Sequence, residues 1–473
     1  MSRSTPLTPK QTRRHFLRAA GAAALGAPLL FDRAFAIQRR RYSCVVIGAG
    51  LSGLAAAHAL KDAGWDVTVV EARKRNGGRV FSYGFDSNPE LICELGAEWV
   101  GASHDRMQAL CKDFDIKLNV HRFDASLLRD GVYKRPSEWR FSAKADAAFE
   151  KLRGEFKTYA RADKLRMDGY DWWTLLDELG FPEDDLLLRD LQDSTDFGES
   201  IRHVSAYVAA AEYFESSPAN EMDFKMEGGN TRLVNALAAS VGEDSIHTGA
   251  PVTEVRQRAG RVSVRAGGRT FEADACVCTV PSRVLDKIVF DPPLPAAHRE
   301  AAEQLQYARI VKNSVLFDER FWHEENFSVV SDVTSHYYFH STQSQPGKRG
   351  ILCSYAVGEK ADVLAAQGAR RRTDIITRDL APFDERAPAL ARSIESYAWQ
   401  RDPYTRGAYA FYRPGQWFKL RPVLQRPHIN VLFAGEHISD WQGFMEGAVV
   451  SGEEAAKALA GRTLRNVRQR RRG

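Results

Sequence analysis

Three glycines in the stretch VVIGAGLSG, Gly48, Gly50 and Gly53, carry the spacing G-x-G-x-x-G, and an acid, Glu71, stands 18 residues beyond the last of them. Residues of these types at these intervals can hold a dinucleotide. Gly48 permits a tight turn, Gly50 lets the backbone approach a pyrophosphate, and Gly53 lets a helix settle on a sheet. The amides that open the helix, at Leu51 and Ser52, then face the phosphates, because a helix N-terminus favours negative charge. Glu71, followed by Ala72 and Arg73, is placed to accept hydrogen bonds from a ribose diol.

These residues need a strand, a turn, a helix and a second strand to hold them, and the chain supplies all four in order. A β-branched run at residues 45–47 enters the glycines, an Ala/Leu-rich segment runs to Gly64, and a second run at residues 67–70 ends on Glu71. The continuation ARKRNGGRV sets Gly77, Gly78 and Arg79 just past the second strand. It is similar to flavoproteins of the glutathione-reductase-like class, in which such an arginine lies near the phosphates of FAD.

Far downstream the pattern returns. Residues 429–433 read as a buried strand, Gly435 and Glu436 as a turn, and Met445 onward as a helix whose first amides can face a cofactor. Residues 245–280 read as sheet, with RVSVRAGGRTFEADACVCTV alternating about Gly267-Gly268 as a hairpin does. The fold expected is therefore α/β: a Rossmann-type FAD-binding domain of the glutathione-reductase kind, interleaved with an α+β substrate domain. The FAD-binding parts are residues 42–101, 226–289 and 406–460; the substrate parts are 102–225, which reads as helical, and 290–405.

Composition narrows the setting. The 473 residues include 66 Lys/Arg and 61 Asp/Glu. The stretch TRRHFLRAAGAAALG, with Arg13 and Arg14 together and an AFA site at residues 34–36, reads as a twin-arginine signal peptide over residues 1–36. That segment holds six of the basic residues and one of the acidic ones, so the net charge belongs to it. The tail at 461–473 is basic and reads as a solvated terminus. Nucleic acid is not expected as a partner, nor is stable membrane insertion, since no apolar run of membrane-spanning length follows the signal. The six cysteines lack metal-type spacing; buried thiols are expected rather than disulfides, and no metal site.

The blocks GAGLSG, EARKRNGGR, ELGAEWVG, GGNTRL with PVTEV, and FAGEHISDWQGFMEGA, joined by YARIVKNSVLFDERFW, resemble the flavin-containing amine oxidase family from Tyr42 to Leu459. The resemblance implies FAD and a small-molecule amine oxidised at the expense of dioxygen, which becomes hydrogen peroxide. Residue by residue it implies Glu71 at the adenosine ribose, Gly78 and Arg79 at the phosphates, and Val252 at the adenine. Gly96, Ala97, Glu98 and Trp99 would lie along the flavin. Gly435, Glu436, Gly443, Phe444, Met445, Glu446 and Ala448 would hold its ribityl and ring end. Lys312 would hold a water against flavin N5. Tyr409 and Phe444 would wall the amine as two aromatic rings, with Trp99 and Trp441 nearby.

Departures from the family pattern matter too. Ala408 stands where monoamine oxidases carry the cysteine that attaches flavin, which implies non-covalent FAD. Trp99 stands where many L-amino-acid oxidases carry a carboxylate-binding arginine; Arg309, Arg413 or Arg202 could replace it. Glu98 and Asp440 could receive the distal ammonium of a diamine, or pair with protein groups. The expectation is an exported amine oxidase, periplasmic or extracellular, whose partners are its amine, dioxygen and the twin-arginine translocation machinery, with monomer or homodimer left open. Its alternatives are an L-amino-acid oxidase, a flavin amine dehydrogenase with another electron acceptor, a desaturase-type relative, and a non-catalytic flavin-binding module.

Overall fold

In the computed structural model, which describes residues 41–85, 91–322 and 324–470 with side chains as far as 461, the glycine stretch lies where the sequence places it. The strand β1 (Ser43–Ile47) runs into the turn at Gly48, where φ is +102°, and the helix α1 (Leu51–Asp62) follows. A methyl group at Gly53 would stand 1.9 Å from the Gly48 carbonyl oxygen, so only glycine lets α1 descend this close to the turn. The chain returns in β2 (Asp66–Val70), parallel to β1.

Around this unit a parallel sheet of five strands forms, in the order Val431–Phe433, Ala275–Cys278, β1, β2, Ile246–His247. Its strands come from three distant stretches of chain. The strands Val431–Phe433 and Ala275–Cys278 are wholly buried and β1 is buried from Cys44 on, as their continuous apolar character requires. On one face the alanines of α1, with Ala55, Ala56 and Ala57 fully enclosed, let the long C-terminal helix Met445–Arg470 approach. A methyl at Gly452 of that helix would stand 2.1 Å from the Ser52 carbonyl oxygen. The helix continues to Arg470, through most of the segment expected to be a separate basic tail.

The expected hairpin is present: Arg261–Ala266 and Arg269–Ala273 pair antiparallel about Gly267 and Gly268, whose φ values of +54° and +76° suit a two-residue turn. Cys276 and Cys278 share one face of their strand, and all six cysteines are free and buried. One boundary differs from expectation. Ile429 is 55% exposed with φ +57°, and the strand begins only at Val431.

A second, seven-stranded mixed sheet has the order Ala391–Ala398, Ile310–Phe317, Gly350–Val357, Tyr337–His340, Phe327–Ser331, Asp124–Arg129, Val132–Lys134. The strand Ile310–Phe317 is buried along its whole length. It carries Lys312, which pairs in register with Tyr355 on one side and Tyr397 on the other. Helices Ala143–Phe156, Trp172–Glu178, Glu183–Phe197 and Ala206–Glu215 gather beside this sheet around Phe156, Trp172 and Phe197. Residues 1–36 lie outside the described residues. No described helix is long and apolar enough to cross a membrane.

Candidate active site

A cavity of about 500 Å³ runs from the glycine turn of β1 to the substrate-side helices. Every residue expected at the cofactor or substrate lines it except Gly53, Glu446 and Trp441. Gly53 acts beneath the turn, through the close approach described above. Glu446 is a correction: its carboxylate accepts the backbone N–H groups of Arg106 and Met107 at 2.9 and 2.8 Å, and so caps the helix Asp105–Asp113. Trp441 is another; its ring stands edge-on to His104 at 5.2 Å, behind Phe444.

At the nucleotide end, α1 begins without a side-chain cap, and its first residues Leu51 and Ser52 line the cavity. Uncapped amides at a helix start are donors for an anion. Gly50 bridges to Gly77, and the Glu71 carboxylate accepts the backbone N–H groups of Ala49 and Arg73, both at 2.8 Å. A carboxylate offers about four acceptor positions, so two remain for a ribose diol. Arg79 forms an ion pair with Glu436 at 2.5 Å, and Glu436 also accepts the Gly443 N–H at 2.9 Å. Arg79 thus ties the first nucleotide segment to the last.

In the middle of the cavity Gly96 passes over Arg79 so closely that a methyl there would stand 2.0 Å from the Arg79 carbonyl oxygen. The Gly96 carbonyl accepts Lys312 Nζ at 3.0 Å, and Lys312 also donates to Glu98. Glu98 accepts Lys225 Nζ at 2.7 Å on its other oxygen. Burial pushes the Lys312 ammonium toward losing its proton, but Glu98, helped by Cys353 and Glu94, more than reverses this, and the lysine pKa is raised. Burial likewise pushes Glu98 up, and Lys225 with Lys312 bring it below the ordinary carboxylate range. Glu98 is therefore a neutralised anion between two ammonium groups, not a receptor for a diamine. Asp440 is not one either: it is 83% exposed and pairs with Arg421 at 2.7 Å.

Tyr409 and Phe444 both face the cavity. The Tyr409 hydroxyl donates to the backbone carbonyls of Asp196 and Thr195, and its ring lies against Gly443, where a methyl would meet it at 3.1 Å. Phe444 is backed by the His104 ring at 5.2 Å. Burial pushes the His104 imidazole down to about 4, so it supports Phe444 as a neutral ring. The three candidate carboxylate-binding arginines lie elsewhere. Arg309 pairs with Glu199 and Asp362 at 2.8 and 2.9 Å, Arg202 stacks on Trp173 at 3.3 Å, and Arg413 lines a different pocket with Arg309.

Several lining residues carry no motif that would have announced them: Asp196, Glu212, Glu221, Tyr355 and Trp399. Lys225 carries no motif either; it stands behind the lining and reaches Glu98 from the strand Phe224–Met226. Among the described residues no group of three or more His, Cys, Asp or Glu side chains could hold a metal.

A dinucleotide cradle opening onto a buried lysine and two aromatic rings defines a nucleotide-dependent oxidoreductase. The chain belongs to the flavin-containing amine oxidoreductase family, whose model matches residues 51–460. Among curated proteins it is 25% identical to an L-amino acid dehydrogenase of Synechocystis sp., over 88% of this chain and 94% of that one. It is equally 25% identical to an L-amino-acid oxidase of Bothrops moojeni, over 87% of this chain and 88% of that one. Among solved structures, putrescine oxidase bound to putrescine superposes with a TM-score of 0.79 at 22% identity. Cyclohexylamine oxidase from Brevibacterium oxydans does so at 0.80 and 21%. Each covers 89% of this chain and 99% of the other, and both share its fold.

Proposed function

We propose that this flavin amine oxidoreductase oxidises amines rather than amino acids, holds FAD without a covalent bond, and is exported through the twin-arginine route. One observation carries the substrate reading: among the described residues, every lysine and arginine that lines the cavity is already paired with a carboxylate, save Lys287, which is hydrogen-bonded to a backbone carbonyl. Arg73 is paired with Asp402 at 2.5 Å, Arg79 with Glu436, Lys312 with Glu98, and Lys287 donates to the Pro403 carbonyl. A carboxylate brought into such a site without a partner loses its hydration uncompensated.

The residues fit FAD. The α1 amides and Glu71 would take its pyrophosphate and ribose, Val252 its adenine, and Gly96 to Trp99 with Glu436 and Gly443 its flavin end. When bound, FAD supplies the acceptor that takes hydride from the carbon bearing the amine and passes both electrons to dioxygen, giving hydrogen peroxide. Tyr409 and Phe444 exclude water and so favour the neutral amine, whose lone pair drives loss of hydride. No side chain has to act as a strong base. Lys312, charged and held by Gly96 and Glu98, would present a donor toward the flavin end of the cavity. The imine leaves and is hydrolysed to aldehyde or ketone and ammonia. Ala408 lines the cavity and no cysteine does among the described residues, which supports non-covalent attachment.

The second reading, oxidation of L-amino acids, is favoured by the names of the curated relatives. Oxygen uptake and peroxide formation by the purified protein, measured with a panel of amines and L-amino acids, separate the two. Turnover of amines alone supports the proposal, and turnover of amino acids alone overturns it. For export, replacing Arg13 and Arg14 together by lysine should leave the protein in the cytoplasm; unchanged fractionation would refute that route.

A further inference from the structure

The substrate end of the cavity is electrically one-sided. Its far wall is built by the helices Glu183–Phe197 and Ala206–Glu215 and the loop after them, which contribute Thr195, Asp196, Glu212, Asn220, Glu221 and Met222. Three of these six carry carboxyl groups, and none is a cation. Of the four lining cations among the described residues, Arg73, Arg79 and Lys312 are paired with carboxylates and Lys287 is hydrogen-bonded to the Pro403 carbonyl. Arg189 comes nearest to this wall in charge, but it is spent on Asp193 at 3.5 Å and on the rings of Phe141 and Phe149, both at 4.1 Å.

The three carboxyls differ in what already holds them. Glu221 accepts the backbone N–H groups of Ser217 and Ser103 at 2.6 and 3.2 Å, with His104 3.6 Å away. Asp196 accepts the Tyr213 hydroxyl at 2.7 Å, with Thr195 beside it. Glu212 has no hydrogen-bond or ion-pair partner among the described residues, although it lines the cavity. Its charged neighbours are Asp196, Asp193 and Glu221, all of its own sign. The backbone carbonyl of Asp196 anchors the Tyr409 hydroxyl, so this acidic wall begins where the aromatic wall ends.

An acceptor left without a donor, next to other acids, is costly unless something cationic arrives. We propose that the site selects amines carrying a second cationic group, di- and polyamines, with the distal ammonium received by Glu212 and Asp196 while the reacting amine stands between Tyr409 and Phe444. This rests on the reading of the chain as an amine oxidase. The role foreseen for Glu98 and Asp440 thereby passes to two residues of the helical substrate segment. Burial, with Asp196, Asp193 and Glu221 beside it, pushes Glu212 well above the carboxylate range, and burial with Asp193 pushes Asp196 to about 7. A bound cation restores both to the ionised form.

The test compares putrescine and spermidine with butylamine on the holoenzyme, by the rate of anaerobic flavin reduction and its substrate dependence, in the wild type and in Glu212→Gln and Asp196→Asn. Wild-type enzyme should prefer the diamine over butylamine by at least ~30-fold in kcat/KM, the loss typical of removing one partner of a buried charge pair. Each variant should lose at least ~10-fold of that ratio, chiefly through KM. The ratio is internal to each preparation, so a variant that folds poorly does not mimic the result. Equal use of putrescine and butylamine by the wild type overturns the proposal, as does a ratio unmoved by both substitutions. If butylamine reduces the flavin and the diamine does not, the acidic recess is wrong and the amine reading stands. If no amine reduces it, both fall.

Discussion

Replacing Glu98 by glutamine tests the charge arrangement beneath the site. Glu98 is 4% exposed and lies between Lys312 and Lys225, whose side chains are 5% and 14% exposed. Glutamine preserves volume but removes the anion and leaves two enclosed ammonium groups. Removing one partner of a buried pair costs about 3–5 kcal/mol. The variant's escape is to deprotonate Lys312, which from an ordinary value of 10.5 costs about 5 kcal/mol at pH ~7. The two figures agree, so a loss of about 3–5 kcal/mol is expected there. Glu98 is lowered in the fold, so its contribution is present above the ordinary carboxylate range and lost only as pH falls through its lowered pKa. Lys312 is raised, so its contribution holds below the ordinary lysine range and is lost only as pH rises through its raised pKa. Wild-type stability from this pair is thus level between about pH 7 and about pH 9. The variant's penalty shrinks across that window to about 2 kcal/mol, because Lys312 deprotonates more cheaply. Urea denaturation of the holoenzyme and of the variant at both ends of the window reads the difference. A penalty under ~1 kcal/mol at the lower pH, or one that grows toward the higher, would refute the arrangement.

Gly96→Ala should yield folded protein with little bound flavin, since its methyl would meet the Arg79 carbonyl at 2.0 Å and the Phe81 amide nitrogen at 3.0 Å; the ratio of flavin to protein absorbance checks this. Glu446→Gln should keep its flavin yet lose about 1 kcal/mol, as removal of a helix cap does, measured by denaturation; loss of flavin instead would restore Glu446 to the cofactor site. The native enzyme should give no rapid reaction with a thiol reagent and react at all six cysteines only once unfolded. All six are buried, and burial pushes Cys44, Cys93, Cys111 and Cys278 up to about 12.

The nucleotide half was readable because its chemistry is local. A glycine turn, a helix start and an acid at a strand end must be close in sequence to be close in space, and Gly48 to Glu71 are. The hairpin at Gly267-Gly268 was readable for the same reason. The substrate end was not. Asp196 and Glu212 sit on helices whose aromatic spacing reads as core, and nothing nearby marks them as facing a cavity. The available signal was weak: acids at positions that helical spacing would turn inward among Phe197 and Tyr213, where an unpaired carboxyl has no structural use. Glu446 and Trp441 were misplaced because a block was carried over whole. Within it the chain turns through Gly443, at φ +88°, and neighbouring side chains leave in different directions, Phe444 into the cavity and Glu446 toward the helix at Asp105.

The central claim is that an amine is oxidised in a cavity shared by the nucleotide cradle, Lys312 and the Tyr409–Phe444 walls. Its most direct measurement is bleaching of the flavin absorbance of the purified holoenzyme, in the absence of oxygen, on mixing with amines and separately with L-amino acids. Rapid, saturable bleaching by amines, slowed in Tyr409→Ala and Phe444→Ala, is the predicted result. Bleaching by L-amino acids and not by amines would contradict it.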